Sequence, residues 1–317
     1  MMLWLKSLFA ATLAAGLLTA CGGDDDPPPA TPPTIAALAQ QQNLTALLAA
    51  ANKAGLSATL ANTSVDLTVF APTNAAFNTL AVRLGFADAT ALVAALPASA
   101  LADILSYHVL PTRQSAAQLS SGAATRATSY VYAGSAANLT VGTTGGVTLT
   151  DSVLTQATVT TADVAASNGV VHVIDKVLVP PGVLTVVQMA QANPQFSTLV
   201  GAVVDAGLAG TLSGAGPFTV FAPTNQAFAD IASTVAALTP TQLSTVLTYH
   251  VLASQVLAAQ IPFGTPVATV SGQSITIQNN PLRVVDTTAT PAPIAATDIR
   301  ASNGVIHVVS KVLIPTL

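Results

Sequence analysis

Four histidines are the side chains here best suited to holding a metal or moving a proton near neutral pH, and they come as two pairs, His108 with His172 and His250 with His307. A zinc site needs further ligands of the Cys, His, Asp or Glu type close by. The chain has no Glu, a single cysteine at Cys21 and thirteen scattered Asp, so neither a zinc set nor the paired carboxylates of a glycosidase take shape. Gly-x-Ser-x-Gly, His-Glu-x-x-His, a phosphate loop and a dinucleotide fingerprint are missing as well. The expectation is a protein that is not an enzyme and uses no metal and no cofactor. What the histidines do have is recurring neighbours. His108 and His250 follow tyrosines, Tyr107 and Tyr249, and His172 and His307 lie in Val-x-His-Val. Such repeated placement predicts a fold role, each Tyr-His pair hydrogen-bonding nearby backbone where a helix passes into a strand.

The elements that must position these residues are duplicated too. Thr68 to Phe77 returns at Thr219 to Phe228 with one change, Gln226 standing where the first copy has Ala75. Val69 and Phe70 read as the end of a buried strand; Pro72 withholds a ladder donor and turns Ala71 away from the α region. Thr73 then caps a helix, with Pro72 and Phe77 as its hydrophobic staple. Because the N3 positions are Ala76 and Ala227, the threonine caps act without a reciprocal capping box. Thr34 and Thr185 cap an earlier helix, and Leu44, Leu47, Leu48 and Ala51 trace one face of a second helix that Gly55 ends. Leu101 to Leu110 and Leu243 to Leu252 read as helices that run into a strand. The first repeat is nine residues longer between corner and histidine, which predicts a surface loop around Arg83 to Thr90. Thr128 to Val179 and Val267 to Ile314 alternate β-branched with small polar residues and predict several short antiparallel strands. The last strand of each set is entered through Asn168-Gly169 or Asn303-Gly304, read as the positive-φ pair of a tight hairpin turn.

Ahead of the repeats, Met1 to Ala20 carries one charge, Lys6, and an apolar run of 13 residues from Leu8, too short to span a bilayer and typical of an export signal. It closes on Leu18-Thr19-Ala20-Cys21, which resembles the bacterial lipobox; the resemblance implies cleavage before Cys21 and acylation of that cysteine. Gly22, not Asp, comes next, and in lipoproteins of this kind that implies the outer membrane or cell surface. Residues 21–33 read as a disordered Asp- and Pro-rich tether. Charged residues make up 7% of the chain and form no basic cluster, which argues against a nucleic-acid partner. A mean hydropathy of +0.62 comes from Ala, Val and Leu spread at intervals, so the folded part is expected to be soluble and globular, without disulfides.

Three ordered motifs, each present twice, carry a further resemblance: Val69-Phe70-Ala71-Pro72-Thr73-Asn74, then Tyr107-His108, then Ser167-Asn168-Gly169-Val170-Val171-His172-Val173, with second copies at Val220 to Asn225, Tyr249-His250 and Ser302 to Val308. They resemble the fasciclin domain family over 34–180 and 181–317. The chain is thus expected to be a bacterial lipoprotein with two tandem fasciclin-like domains behind a signal peptide (1–20) and a tether (21–33). The resemblance implies an α+β fold, each domain a wedge-shaped antiparallel β structure of about seven strands with helices packed on one side. It also implies adhesion. Cell-binding activity in animal members is ascribed to an Asp-Ile pair before the Asn-Gly turn and to the Tyr-His region; the matching positions here are Asp163-Val164, Asp298-Ile299, Tyr107-His108 and Tyr249-His250. The expected function is non-enzymatic, membrane-anchored adhesion or extracellular matrix contact, with a cell-surface or matrix protein or polysaccharide as partner. The alternative is a binding module for a small apolar ligand or lipid between helices and sheet, which would need a cavity on the order of several hundred Å³.

Overall fold

The computed structural model describes residues 31–317. The signal, Cys21 and most of the tether lie outside the described residues. Three short helices open the fold, α1 (Ile35–Gln41), α2 (Thr45–Lys53) and α3 (Ser57–Ala61), followed by strand β1 (Leu67–Pro72). Helices α4 (Asn74–Arg83), α5 (Ala89–Ala95) and α6 (Ala98–Tyr107) come next, the last running into β2 (Val109–Leu110). After α7 (Ala116–Ser121) come β3 (Thr125–Tyr132), β4 (Ser135–Gly142), β5 (Thr148–Thr150), β6 (Gln156–Ala166) and β7 (Gly169–Ile174). The second copy repeats the plan with α8 (Val186–Ala192), α9 (Ser197–Asp205), α10 (Ala209–Leu212), β8 (Phe218–Pro223), α11 (Asn225–Ala229), α12 (Ala232–Ala236), α13 (Pro240–Tyr249) and β9 (Val251–Leu252). It closes with β10 (Pro266–Ala268), β11 (Ser274–Gln278), β12 (Arg283–Val285), β13 (Ala292–Ala301) and β14 (Gly304–Val309).

Among the described residues these strands form two seven-stranded sheets, ordered β2-β1-β7-β6-β5-β4-β3 and β10-β11-β12-β13-β14-β8-β9. Edge strands β2 and β3 lie against each other, so the first sheet curls toward a barrel. The architecture is the α+β one expected, with one correction to its antiparallel character. β1 runs parallel to β7, from Leu67 opposite Gly169 to Pro72 opposite Ile174, and β8 runs parallel to β14 in the same register. Pairing between the two ends of a domain leaves no trace in local periodicity.

Both strands of each parallel pair are covered on both faces, which is why β1 and β7 read as nearly unbroken apolar runs. Val69 and Ala71 belong to the core on the helix side, whereas Phe70 enters the barrel interior with Tyr107, Leu110, Leu139 and Ile174. Phe221 and Tyr249 fill the second barrel in the same manner. The corner after each strand follows the expected chemistry. Thr73 Oγ1 accepts the Ala76 amide at 3.1 Å and Thr224 Oγ1 the Ala227 amide at 3.3 Å, each opening a helix without a reciprocal partner.

Of two further local expectations, one is met and one needs correction. The expected surface loop is there: Arg83 ends α4, Leu84 to Asp88 run as turn and bend with Gly85, Ala87 and Asp88 exposed, and α5 begins at Ala89. Asp88 caps α5 by accepting the Ala91 amide at 2.8 Å, and Asn78 on α4 accepts the Ala89 amide at 2.8 Å, so the insertion is pinned to the fold. The two hairpin residues are Ser167-Asn168, because Ala166 pairs with Gly169, and neither of them has positive φ. Asn168 uses its side chain as a clasp. Its Oδ1 accepts the Ile35 amide at the start of α1 (2.9 Å), while Nδ2 donates to the carbonyls of Leu60 and Asn62 after α3, both at 3.0 Å. Asn303 makes the equivalent bonds to Val186, Leu212 and Gly214.

The helix-side core does not stop at the boundary between copies. Val153, Val177 and Val179 belong to one apolar cluster with Val186, Met189 and Phe196. Asn193 Nδ2 donates to the Val153 carbonyl at 2.8 Å, and Arg83 donates to the Ala192 carbonyl at 3.1 Å. The connecting segment is held as well. The Gly182 amide donates to the Arg300 carbonyl at 2.9 Å, and at φ 77° the glycine leaves room for the Tyr132 ring where a Cβ would otherwise sit.

Candidate functional site

Helix α6 ends at Tyr107, and the next residue, His108, turns inward under the sheet. Its Nε2 accepts the Leu178 amide at 2.8 Å, which leaves the proton on Nδ1 to be donated to the Ile104 carbonyl at 2.7 Å. His250 repeats this arrangement with the Leu313 amide (2.8 Å) and the Val246 carbonyl (2.7 Å). Each ring therefore sews the end of a helix to the segment after the last strand. Burial pushes the pKa of both histidines down from 6.5 to about 4, because a charged ring would lose its water and one acceptor. Tyr107 donates its hydroxyl to the Asn138 carbonyl at 2.9 Å and Tyr249 to the Ser274 carbonyl at 3.1 Å; burial raises the pKa of both phenols.

The other two histidines work on the opposite side of the parallel strands. His172 stacks on Phe70 with ring centroids 5.7 Å apart. Its Nδ1 accepts the Asp163 amide at 3.2 Å and its Nε2 donates to the Gln114 carbonyl at 2.9 Å. His307 does the same with Asp298 (3.3 Å) and Val256 (2.9 Å), and burial lowers its pKa. Asp163 and Asp298 sit at irregularities in β6 and β13 with φ of 58° and 62°, a left-handed conformation that Asp tolerates better than most residues. Their carboxylates accept the amides of Ala116 and Ala258, at the start of α7 and of a short 3₁₀ turn, at 2.8 and 2.9 Å.

Sequence reasoning passed over one further duplicated set. Asp151 is buried, and its two oxygens accept from the amides of Val153, Thr155 and Val179 and from the Lys176 ammonium at 2.7 Å. Asp286 holds the Thr288 and Ile314 amides, with Lys311 at 3.9 Å. Burial lowers the Lys176 pKa, and the neighbouring Asp151 opposes that shift. The signal was available. Asp151 and Asp286, Asp163 and Asp298, His172 and His307, and Lys176 and Lys311 are all separated by the same interval in sequence.

Of the positions matched to adhesive activity, Tyr107, His108, Tyr249, His250 and Ile299 are buried, so a partner meeting the folded domains touches none of them. Asp163 is exposed, and Val164 and Asp298 are half-buried. No hydrogen bond joins the Asp-Val or Asp-Ile pairs to the Tyr-His pairs among the described residues. Two apolar cavities lie between helices and sheet, of about 110 Å³ in the first domain and about 30 Å³ in the second, both short of the size a whole lipid would need. No group of three His, Cys, Asp or Glu side chains among the described residues is placed to hold a metal ion.

The fasciclin domain family matches this chain twice, over residues 42–180 and 194–315. Protein sll1483 of Synechocystis sp. is 43% identical over 139 residues, covering 42% of this chain and 75% of that protein. Transforming growth factor-beta-induced protein ig-h3 of Sus scrofa is 35% identical over 166 residues, covering 49% of this chain but only 22% of its own length. A solved FAS1 domain pair from the insect cell adhesion molecule Fasciclin I aligns over 88% of this chain and 97% of that one, at 19% identity and a TM-score of 0.42. With the family pattern matched in both copies and two sheets built to one plan, this chain belongs to the fasciclin domain family and carries the domain twice in tandem.

Proposed function

We propose that the chain is a membrane-anchored, surface-displayed protein for adhesion or matrix contact, and that it performs no chemistry of its own. The observation that carries this reading is how completely the reactive side chains are occupied. All four histidines spend both ring nitrogens on backbone groups, and every buried side-chain nitrogen or oxygen among the described residues has a partner. A general base or metal ligand must have a free lone pair aimed at a substrate or ion. Adhesion is the role that the fasciclin resemblance implies, and a pair of domains packed through one shared core offers it a broad surface of Ser, Thr, Asn and Ala. The Tyr-His pairs support that surface from within, while Asp163 and its surroundings lie on it.

The lipobox-like Leu18-Thr19-Ala20-Cys21 supplies the anchor in this proposal. Several acyl chains, at about 0.8 kcal/mol per buried methylene, hold a protein on a membrane durably. A tether of about a dozen residues, reaching roughly 35 Å when extended, lifts the folded pair clear of the head groups. Cys21→Ser is expected to move the protein from the membrane fraction to the soluble fraction and to abolish attachment of expressing cells to matrix-coated or polysaccharide-coated surfaces. Pull-down with the purified soluble variant should still recover a matrix or cell-surface component. Retention of the Ser variant in detergent-extractable membrane would place the anchor elsewhere, and a soluble variant that captures no surface protein or polysaccharide would remove the adhesive role.

A further inference from the structure

We infer that the cavity of the first domain is a binding site for the end of an unbranched, uncharged alkyl chain. It lies between α2, α3, α6 and β1, lined by Leu47, Leu60, Val69, Leu105, His108 and Val109. The residues at these same six positions of the repeat line the smaller cavity of the second domain. A void kept at one place in both copies is a feature of the packing plan, whereas a chance packing defect would not recur against the same side chains. No charged side chain lines either cavity. His108 contributes only carbon edge, since both its nitrogens are bound to backbone.

Size and rim separate the two copies. The first cavity measures about 110 Å³ and is edged by the hydroxyls of Thr59, Ser106 and Ser129. The second measures about 30 Å³, and Val187 and Val203 line it where the first copy has the smaller Ala36 and Ala51. An apolar cavity of about 150 Å³ stays dry and takes benzene, so about 110 Å³ has room for roughly four carbon atoms. Apolar walls select hydrocarbon, and a rim of hydroxyls without charge tolerates a neutral polar head while offering nothing to a carboxylate or an ammonium. This inference is independent of the adhesive role, because the site opens inside one domain and shares with the positions matched to adhesion only His108, which is buried away from any surface partner.

The test uses the full chain carrying Cys21→Ser, purified without detergent and labelled at Leu and Val methyl groups, titrated with straight-chain alkanols from ethanol to octanol and followed by NMR. Saturable shifts are expected at Leu47, Leu60, Val69, Leu105 and Val109, with affinity rising about fourfold per methylene up to about four carbons and levelling beyond. Ser106→Phe fills the cavity from its rim and should abolish saturation while keeping or raising the melting temperature. Shifts that grow without saturating, affinity that keeps climbing to octanol, or undiminished binding by a folded Ser106→Phe protein would each overturn the assignment. The wild-type chain-length series decides the matter even where the Phe variant fails to fold.

Discussion

Gly169→Ala is expected to destabilise the protein by about 3 kcal/mol, with a matching loss from Gly304→Ala. Gly169 opens β7 directly opposite Leu67 on the parallel neighbour, and Gly304 faces Phe218 in the same way. A methyl group on either glycine would fall well inside contact distance of the opposing carbonyl oxygen. That oxygen belongs to backbone anchored in the centre of a sheet, so it has no flexible side chain to move aside. For a cooperative unit of this size the loss corresponds to a drop of roughly 6 to 12 °C in melting temperature. Gly201→Ala makes the contrast. Gly201 lies within α9, exposed, with open space where its Cβ would stand, so Ala there should stabilise by about 0.5 to 1 kcal/mol. Differential scanning calorimetry on the three variants distinguishes these outcomes. Equal melting temperatures for Gly169→Ala and wild type would show that the parallel register is wrong.

Acid should weaken both domains well before the Asp residues begin to protonate in bulk. His108 and His250 have folded-state pKa values of about 4 against 6.5 when unfolded, so between these limits the unfolded chain binds protons that the folded chain refuses. Stability from these two groups is fully present above pH 6.5 and is lost as pH falls toward 4. Each histidine accounts for about 2 to 3 kcal/mol between pH 7 and pH 4.5, and His307, whose pKa is also lowered by burial, acts in the same direction. Urea unfolding at the two pH values measures the effect. In His108→Ala the loss of two backbone partners should lower stability at pH 7 by about 1 to 3 kcal/mol. The pH slope that belonged to the first domain should vanish with it. A wild-type protein equally stable at pH 7 and 4.5 would contradict the buried neutral rings.

What could be read from the sequence was local. Thr34, Thr73, Thr185 and Thr224 cap helices because one hydroxyl and one amide three residues on are enough to decide the matter. The fold class and the tandem plan followed from motifs repeated in order. The misreadings concern positions where a distant neighbour decides. Asn-Gly fits a two-residue turn by composition, yet the turn is Ser-Asn: glycine is required by the carbonyl of β1 across the sheet, and asparagine by helix ends more than a hundred residues away. The loop around Arg83 to Thr90 was legible from the difference in length between copies, whereas its fastening to the start of α5 by Asn78 and Asp88 was not. The burial of Tyr107 and His108 was half legible, since a repeated Tyr-His pair suggested a fastener. The atoms they fasten, at Asn138 and Leu178, lie too far along the chain to be inferred.

The parallel pairing of first and last strands also sets a timetable for acquiring structure. β1 is complete at Pro72, but the partner that covers its inner edge does not exist until Gly169 to Ile174 have been made, about a hundred residues later. Joining segments so far apart is entropically expensive, and topologies dominated by such contacts reach the folded state slowly. Helices α1 to α6 and the meander from β3 to β6 can gather by themselves, while the sheet centre stays open. In that interval Val69 and Phe70 present an uncovered edge to any other extended chain. The helix-side core of the first domain is complete only with Ala192 and Asn193 in place against Arg83 and Val153. Each copy is thus sealed by its own final strand, and the first is sealed again by its successor.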